Sequence, residues 1–274
     1  MTVLVPATAA VDLVEQILAG ALVDHLTKRF GRLTAVSDVN LRVSAGEIVG
    51  FLGPNGAGKT TTIRTLMGFL RPSLGACSVL GGELGSDTRL RRRVGYLPGD
   101  FRADLGMTGA DLFRWFAELR GGLNRRRVDE LVERLQLDPT RKFATLSKGN
   151  RQKVGVVQAF MHDPIVLILD EPTSGLDPLM QHEFLGLVRD AAQRGAAVLI
   201  SSHMLPEVER IASRVAIIRA GQLVMASTID ELWTTRDDGS SCTSLLAIGG
   251  QARAECGRAR ATLRVVRTIC GRPG

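Results

Sequence analysis

Aromatic side chains are scarce in this sequence: they make up 4% of 274 residues, with one Tyr and two Trp. None interleaves with the arginine clusters RLRRR (Arg89 to Arg93) and NRRRV (Asn124 to Val128). Those clusters read as solvated helix faces and not as a stacking platform for single strands, so no nucleic-acid partner is expected. Lysine is also rare. Lys28, Lys59, Lys142, Lys148 and Lys153 are the five, and arginine supplies most of the net charge of +7. The four cysteines, Cys77, Cys242, Cys256 and Cys270, lack the paired close spacing of a zinc site and are too few for a disulfide scaffold. A reducing cytoplasm is the default expectation. No apolar run is long enough to cross a bilayer, so any membrane role must come through a partner. The first twenty residues carry no basic residue, and Asp12 and Glu15 interrupt their apolar part, so a signal peptide is not expected.

What is present is the balance of an ordinary globular protein, 45% hydrophobic and 23% charged, and one run of high information. GPNGAGKTT, Gly53 to Thr61, fits the phosphate-loop pattern G-x-x-x-x-G-K-[ST]. It follows a nearly continuous apolar stretch (Ile48, Val49, Phe51, Leu52), as a strand buried on both faces requires. It precedes KTTTIRTLMGFL, whose Ile63, Leu66, Met67 and Leu70 recur at helical spacing up to Pro72. Gly53, Gly56 and Gly58 let the backbone through Pro54, Asn55 and Ala57 wrap tightly enough that the loop's N–H groups, all but that of Pro54, which has none, converge on phosphate oxygens, aided by the positive end of the helix at Lys59 to Thr61. Lys59 would reach the β- and γ-phosphates, and the Thr60 hydroxyl would bind Mg²⁺.

The rest of the chain supplies a scaffold for such a site. Strand patterns run from Ala21 to Leu52, and strands alternate with helices again from Ile165 to Asp170, Ala196 to His203 and onward. This alternation indicates an α/β fold with a parallel sheet and crossover helices. A helix is expected through LPEVERIAS, and a hairpin at VAIIRAGQLVMAS. Between the strand-rich region ending near Leu52 and the alternation that resumes at Ile165, Ala103 to Lys142 reads as amphipathic helices starting from Thr108 and Asn124, a helical insertion. Beyond Arg236 the composition turns to Gly, Ser, Cys and Arg, which suggests a weakly packed appendage.

Two carboxylates end the apolar run IVLILDEP. Asp170 suits Mg²⁺ held through water, and Glu171 suits orienting or deprotonating an attacking water. Adjacent strand-end carboxylates are also a common turn feature, but the upstream phosphate loop gives them a purpose. His203 ends another apolar strand. A lone histidine is usually structural, yet ligands bind at the carboxyl ends of such strands, so it is a candidate contact for the γ-phosphate.

One stretch does not fit a self-contained site. LSKGNRQKV, Leu146 to Val154, sets a hydroxyl, a lysine and a glycine ahead of a helix, with no second copy of the rest of a nucleotide site. Taken with the phosphate loop, ILDEPTSGLDP and SSH, in that order from about Ala21 to Ser227, it resembles the nucleotide-binding subunit of an ABC transporter. The resemblance implies a P-loop NTPase (RecA-like) core with a mainly parallel sheet, an N-terminal antiparallel β subdomain and an inserted helical subdomain, about 103–150, within an ATP-binding domain of 21–235, flanked by an extension (1–20) and a tail (236–274). It implies MgATP as ligand, and two copies packed head to tail as a homodimer or an equivalent heterodimer. Ser147, Lys148 and Gly149 of one copy would then close over the nucleotide of the other, and Asp177 would lie in the loop that communicates between the sites. Phe30 stands where the family stacks an aromatic ring on adenine. Separate integral membrane permease subunits would be the partners, the place the cytoplasmic face of the membrane, and the process export of a drug, antibiotic or lipid-linked compound.

The sequence departs from the family at Gly99, where a glutamine is usual and a side chain would reach Mg²⁺ or water; Asp100 follows it. Lys148 and Asn150 replace the usual glycine and glutamine of the second loop. Rival readings are a soluble ABC-type ATPase acting on nucleic acid or the ribosome, although neither a long coiled coil nor a second ATP-binding domain is visible, and a weakly hydrolysing regulator, which Gly99 suggests. A GTPase is disfavoured because no NKxD occurs.

Overall fold

The computed structural model describes residues 19–122 and 124–232. The tail expected beyond Arg236 and nearly all of the N-terminal extension lie outside the described residues. Strands β1 (Ala19–Phe30), β2 (Leu33–Ser44) and β4 (Leu74–Val79) form an antiparallel sheet in the order β2-β1-β4. Strands β3 (Ile48–Leu52), β5 (Val94–Leu97), β6 (Val166–Asp170), β7 (Ala197–Ser202), β8 (Arg214–Arg219) and β9 (Gln222–Thr228) form a second sheet in the order β5-β6-β7-β3-β8-β9. Its pairings are parallel except for the β8–β9 hairpin, which the sequence pattern anticipates.

The central strands β3, β6 and β7 are buried at every position. That is why they read as unbroken apolar runs: the sheet is covered on both faces. On one face Val49, Phe51, Ile168 and Leu199 pack with Val23, Leu26 and Val39 of the antiparallel sheet and with Ile63 and Leu66 of helix α1 (Lys59–Leu66). On the other, Leu97, Leu169 and Ile200 pack with Val154 and Val157 of α5 (Lys148–Phe160) and Phe184 and Leu187 of α6 (Pro178–Gln193). Each large buried side chain contributes about 1.5–3 kcal/mol, so these layers fix the strand ends rigidly.

Within the span read as an insertion lie the helices α3 (Gly109–Arg120) and α4 (Arg125–Arg134), following the short α2 (Thr88–Arg91). Thr108 caps α3 in a capping box with Asp111, and the Thr108 hydrogen bonds hold the Asp111 carboxyl below its ordinary range. Asn124 caps α4 by accepting from Arg127 N at 3.1 Å. Leu112, Phe113, Leu131 and Phe143 bury this unit against α5.

Two helices are shorter than their sequence patterns. The apolar spacing predicts α1 up to Leu70, but it ends at Leu66: Gly68 turns with φ +73°, and its backbone lies so close to Gly85 that a Cβ would come within 2.4 Å of Gly85 N. The helix expected through LPEVERIAS is only α7 (Leu205–Val208), because Ser213 N donates to Ile48 O at 3.0 Å and draws the chain into β8. Strand β4 and helix α2 have no counterpart in the sequence reading; β4 is mostly exposed and lacks alternation. Among the described residues no helix is long and apolar enough to cross a membrane.

Candidate phosphate-binding and hydrolytic site

The parallel arrangement brings the carboxyl ends of β3, β6 and β7 to one edge of the sheet. From β3 the chain enters the loop Gly53–Gly58 and then α1. The loop is anchored by Gly53 N to Ser202 O (3.3 Å), Ala57 N to Pro54 O (3.1 Å) and Gly221 N to Ala57 O (2.9 Å). Gly58 occupies the N-cap of α1 at φ +112°, a conformation that disfavours any L side chain. No side chain caps this helix and no acid stands in its first turn. Its orphan amides and positive dipole end therefore face the loop, as an anion site requires.

Lys59 is 5% exposed. Its Nζ donates to Gly53 O at 2.5 Å and to Pro54 O at 3.3 Å. It also lies 3.2 Å from Glu171 Oε1, near enough for charge pairing but outside hydrogen-bond geometry. The other oxygen of Glu171, Oε2, meets His203 Nδ1 at 2.7 Å. Thr60 Oγ1 donates to Asp170 Oδ2 at 2.9 Å, and Ser201 Oγ donates to Asp170 Oδ1 at 2.7 Å while accepting from Glu171 N at 3.0 Å. Lys59, Thr60, Asp170, Glu171 and His203 thus form one connected cluster. Glu171 holds a left-handed φ of 47°, costly for a glutamate and tolerated where neighbours over-determine it. Nearby, burial and then the charge of Asp170 push the Tyr96 hydroxyl up to about 12, so it stays neutral.

The donor set suits a hard cation and a polyphosphate together. Thr60 and Asp170 offer two adjacent oxygen ligands, whereas no cluster of three or more His, Cys, Asp or Glu among the described residues could hold a metal without help. Mg²⁺ commonly takes one or two protein oxygens and completes its shell with water and substrate phosphates, so the residues fit it.

The second loop is elsewhere engaged. Ser147 caps α5, its Oγ accepting from Asn150 N at 3.3 Å. Lys148 Nζ donates to Ser174 Oγ at 3.0 Å, and Gly149 presses on the Gly175 carbonyl, where a Cβ would come within 2.6 Å. Among the described residues no hydrogen bond joins Ser147, Lys148 or Gly149 to the Gly53–Thr61 loop. Asp177 caps α6 by accepting from Met180 N at 3.0 Å. Phe30, at the end of β1, is 47% exposed with Lys28 Nζ 5.1 Å from its ring centroid. At Gly99 a Cβ would sit 3.2 Å from Asp170 O, a tight approach, and 3.6 Å from the Glu171 Cβ, an ordinary contact, so a side chain there would lie beside the two carboxylate-bearing residues. Asp100 pairs with Arg102 at 2.6 Å on the surface.

Four contributors escape a reading of the sequence: Ser201, Gln152, Thr173 and Glu207. Gln152 Nε2 donates to Pro172 O at 3.0 Å, tethering the loop after Glu171 to α5. Ser201 carries a weak signal in advance, a hydroxyl at the end of a buried strand two residues before His203. Gln152 and Thr173 fall inside the stretches LSKGNRQKV and ILDEPTSGLDP, but their contacts, Gln152 to Pro172 O and Thr173 to Glu207, join distant segments and have no local signal.

Comparison with known proteins agrees with this geometry. The ABC transporter family model matches residues 36–174. An uncharacterized ABC transporter ATP-binding protein of Nostoc sp. is 37% identical over 208 residues, covering 73% of this chain and 62% of its own length, so the chain spans less than two thirds of that relative. The bacitracin transport ATP-binding protein BcrA of Bacillus licheniformis is 37% identical over 214 residues, 76% of this chain and 69% of that protein. Among solved structures, one described as the ATP-binding subunit of an ABC transporter superposes with a TM-score of 0.76 at 30% identity, over 83% of this chain and 98% of the other.

Proposed function

The chain belongs to the ABC transporter family and carries its ATPase domain, and from that premise we propose that it binds and hydrolyses ATP as one half of a dimer that drives a separate membrane permease. The observation that carries the reading is the convergence of Lys59, Thr60, Asp170, Glu171 and His203 on one strand edge. The loop amides and Lys59 hold the β- and γ-phosphates, and Phe30 offers its exposed ring to the adenine. Thr60 and Asp170 hold Mg²⁺, whose charge offsets that of the phosphate oxygens. Glu171 orients the attacking water and accepts its proton, while His203 fixes the Glu171 carboxylate and faces the γ-phosphate. Ser147, Lys148 and Gly149 make their contacts with Asn150, Ser174 and Gly175 and not with their own phosphate loop, which supports a role in the partner's site, with the N-terminus of α5 directed at its ATP.

Residues 21–235 form the ATP-binding domain in this reading, with about 103–150 inserted as the part that meets the permease at the cytoplasmic face. The name of the bacitracin transport relative supports export of a drug, antibiotic or lipid-linked compound as the process. Contact between Glu171 and His203 favours hydrolysis over a merely regulatory role, despite Gly99.

Glu171→Gln tests the proposal. It should lower turnover of MgATP about 10²-fold or more while preserving nucleotide binding, and it should trap a dimer visible by light scattering. Unchanged turnover would refute the role of Glu171; a monomer at saturating MgATP, even beside the permease, would refute the dimer.

A further inference from the structure

Glu207, in the four-residue helix α7, gathers two hydroxyls at a single carboxylate oxygen. Thr173 Oγ1 donates to its Oε2 at 2.9 Å, and Ser202 Oγ shares its proton between the same atom at 3.2 Å and Met204 O at 3.4 Å. Thr173 and Ser202 are 7% and 2% exposed while Glu207 itself is half-buried, and bonds to its carboxylate are charge-assisted. Thr173 lies two residues after Glu171. Ser202 immediately precedes His203, and its Oγ also accepts from Met204 N at 2.9 Å, so it anchors the turn on which His203 stands. The ladder between β6 and β7 ends at Asp170 and Ser201. Past that pair the Glu171 amide is held by the Ser201 hydroxyl, but no backbone–backbone bond sets Glu171 against His203, although their side chains meet at 2.7 Å. Glu207 crosses the gap beyond the ladder.

We infer that Glu207 is a positioning residue for hydrolysis, clamping the loop after β6 to the turn after β7 and so setting the geometry of Glu171 and His203. The inference rests on the reading of those two as the hydrolytic pair. Glu207 touches neither Lys59 nor the phosphate loop, so its loss should act on the chemical step and not on nucleotide binding.

Steady-state hydrolysis of MgATP by the full chain tests this. E207A should lower kcat about ten-fold and leave KM within about two-fold, the signature of misalignment as opposed to lost binding. E207Q keeps an amide oxygen able to accept both hydroxyls and should recover to within about three-fold of wild type. T173V, which removes one donor at constant volume, should cost about three-fold, and the T173V/E207A pair no more than E207A alone, because contacting residues couple. In a His203→Ala background E207A should have little further effect. Full kcat in E207A, an E207Q as impaired as E207A, or an undiminished effect without His203 would each overturn the inference. Should E207A fail to fold, a slower T173V beside a near-normal E207Q upholds it, and a normal T173V overturns it. A wild-type protein with no MgATP turnover would overturn the hydrolytic reading and this inference together, whereas normal wild-type turnover with unaffected variants overturns the inference alone.

Discussion

The loops at the heads of α1 and α5 each set a glycine and a lysine at a helix N-terminus, yet they are built for opposite tasks. At α1 no side chain caps the helix, and Lys59 is buried against Gly53 O and beside Glu171. At α5 the Ser147 hydroxyl caps the helix, and the exposed Lys148 reaches sideways to Ser174. The first loop faces the two carboxylates at the end of β6 and His203 at the end of β7. The second finds only the turn at Ser174–Gly175, a neighbour without a metal ligand or a base. A helix N-terminus alone therefore does not make a catalytic site: what distinguishes the two is the chemistry that the sheet edge delivers.

The sharpest way to break this comparison is to remove each lysine in turn. Lys59→Ala should lower kcat/KM for MgATP by about 10² to 10³-fold, since it deletes the buried cation to which the proposed function assigns the phosphates. Lys148→Ala should cost less than about ten-fold, because its ammonium serves an exposed hydrogen bond to a hydroxyl. Steady-state assays on the two variants decide the matter, and equal losses would mean that both loops bind phosphate alike.

The contrast also marks how far the sequence could be read. The phosphate loop, the carboxylate pair and the strands that carry them are legible because each depends on a contiguous run: a buried parallel strand must be apolar throughout, and a loop around phosphate needs glycine at set positions. The caps Thr108 and Asn124 are legible for the same reason. Illegible features depend on approach between distant segments. Gly68 against Gly85 ends α1 early, Ser213 joining Ile48 shortens α7, and Glu207 bridging Thr173 and Ser202 spans loops 34 residues apart. Pairing with the second loop is of a third kind. Its residues could be named from resemblance, but one chain offers them no phosphate to hold.

The two ends of α5 extend the comparison to acid stability. Past the C-terminal end His162 lies against Val94 O, 3.3 Å from Nε2, with Nδ1 buried and unpartnered. Burial, then the charge of Arg120, lowers its pKa to about 4, and the Val94 bond offsets this only in part. The folded protein holds His162 neutral, while the unfolded chain takes up a proton near the usual 6.5. Its contribution is therefore complete above pH 6.5, declines as pH falls toward 4 and is gone below that, on the order of 2 kcal/mol after allowance for partial exposure. His162→Gln keeps a donor for Val94 and should flatten that part of the stability curve in urea unfolding between pH 4 and 7. Identical slopes for the two proteins would show that this end of α5 is as open to water as the Ser147 end.

The smallest effect probes the N-terminal end directly. Gly149 lies so near the Gly175 carbonyl that a methyl group must push the second loop away from the Ser174–Gly175 turn. Because no hydrogen bond of Gly149 reaches the chain's own phosphate loop among the described residues, Gly149→Ala should leave nucleotide affinity of the monomer unchanged. If the loop serves a second copy, the same change should weaken ATP-dependent dimerisation about ten-fold, roughly 1.4 kcal/mol. Isothermal titration with ATP and sedimentation in the Glu171→Gln background measure the two quantities separately. A loss of monomer affinity equal to the loss in dimerisation would place the second loop in its own chain's site, and the distinction between the loops would fail.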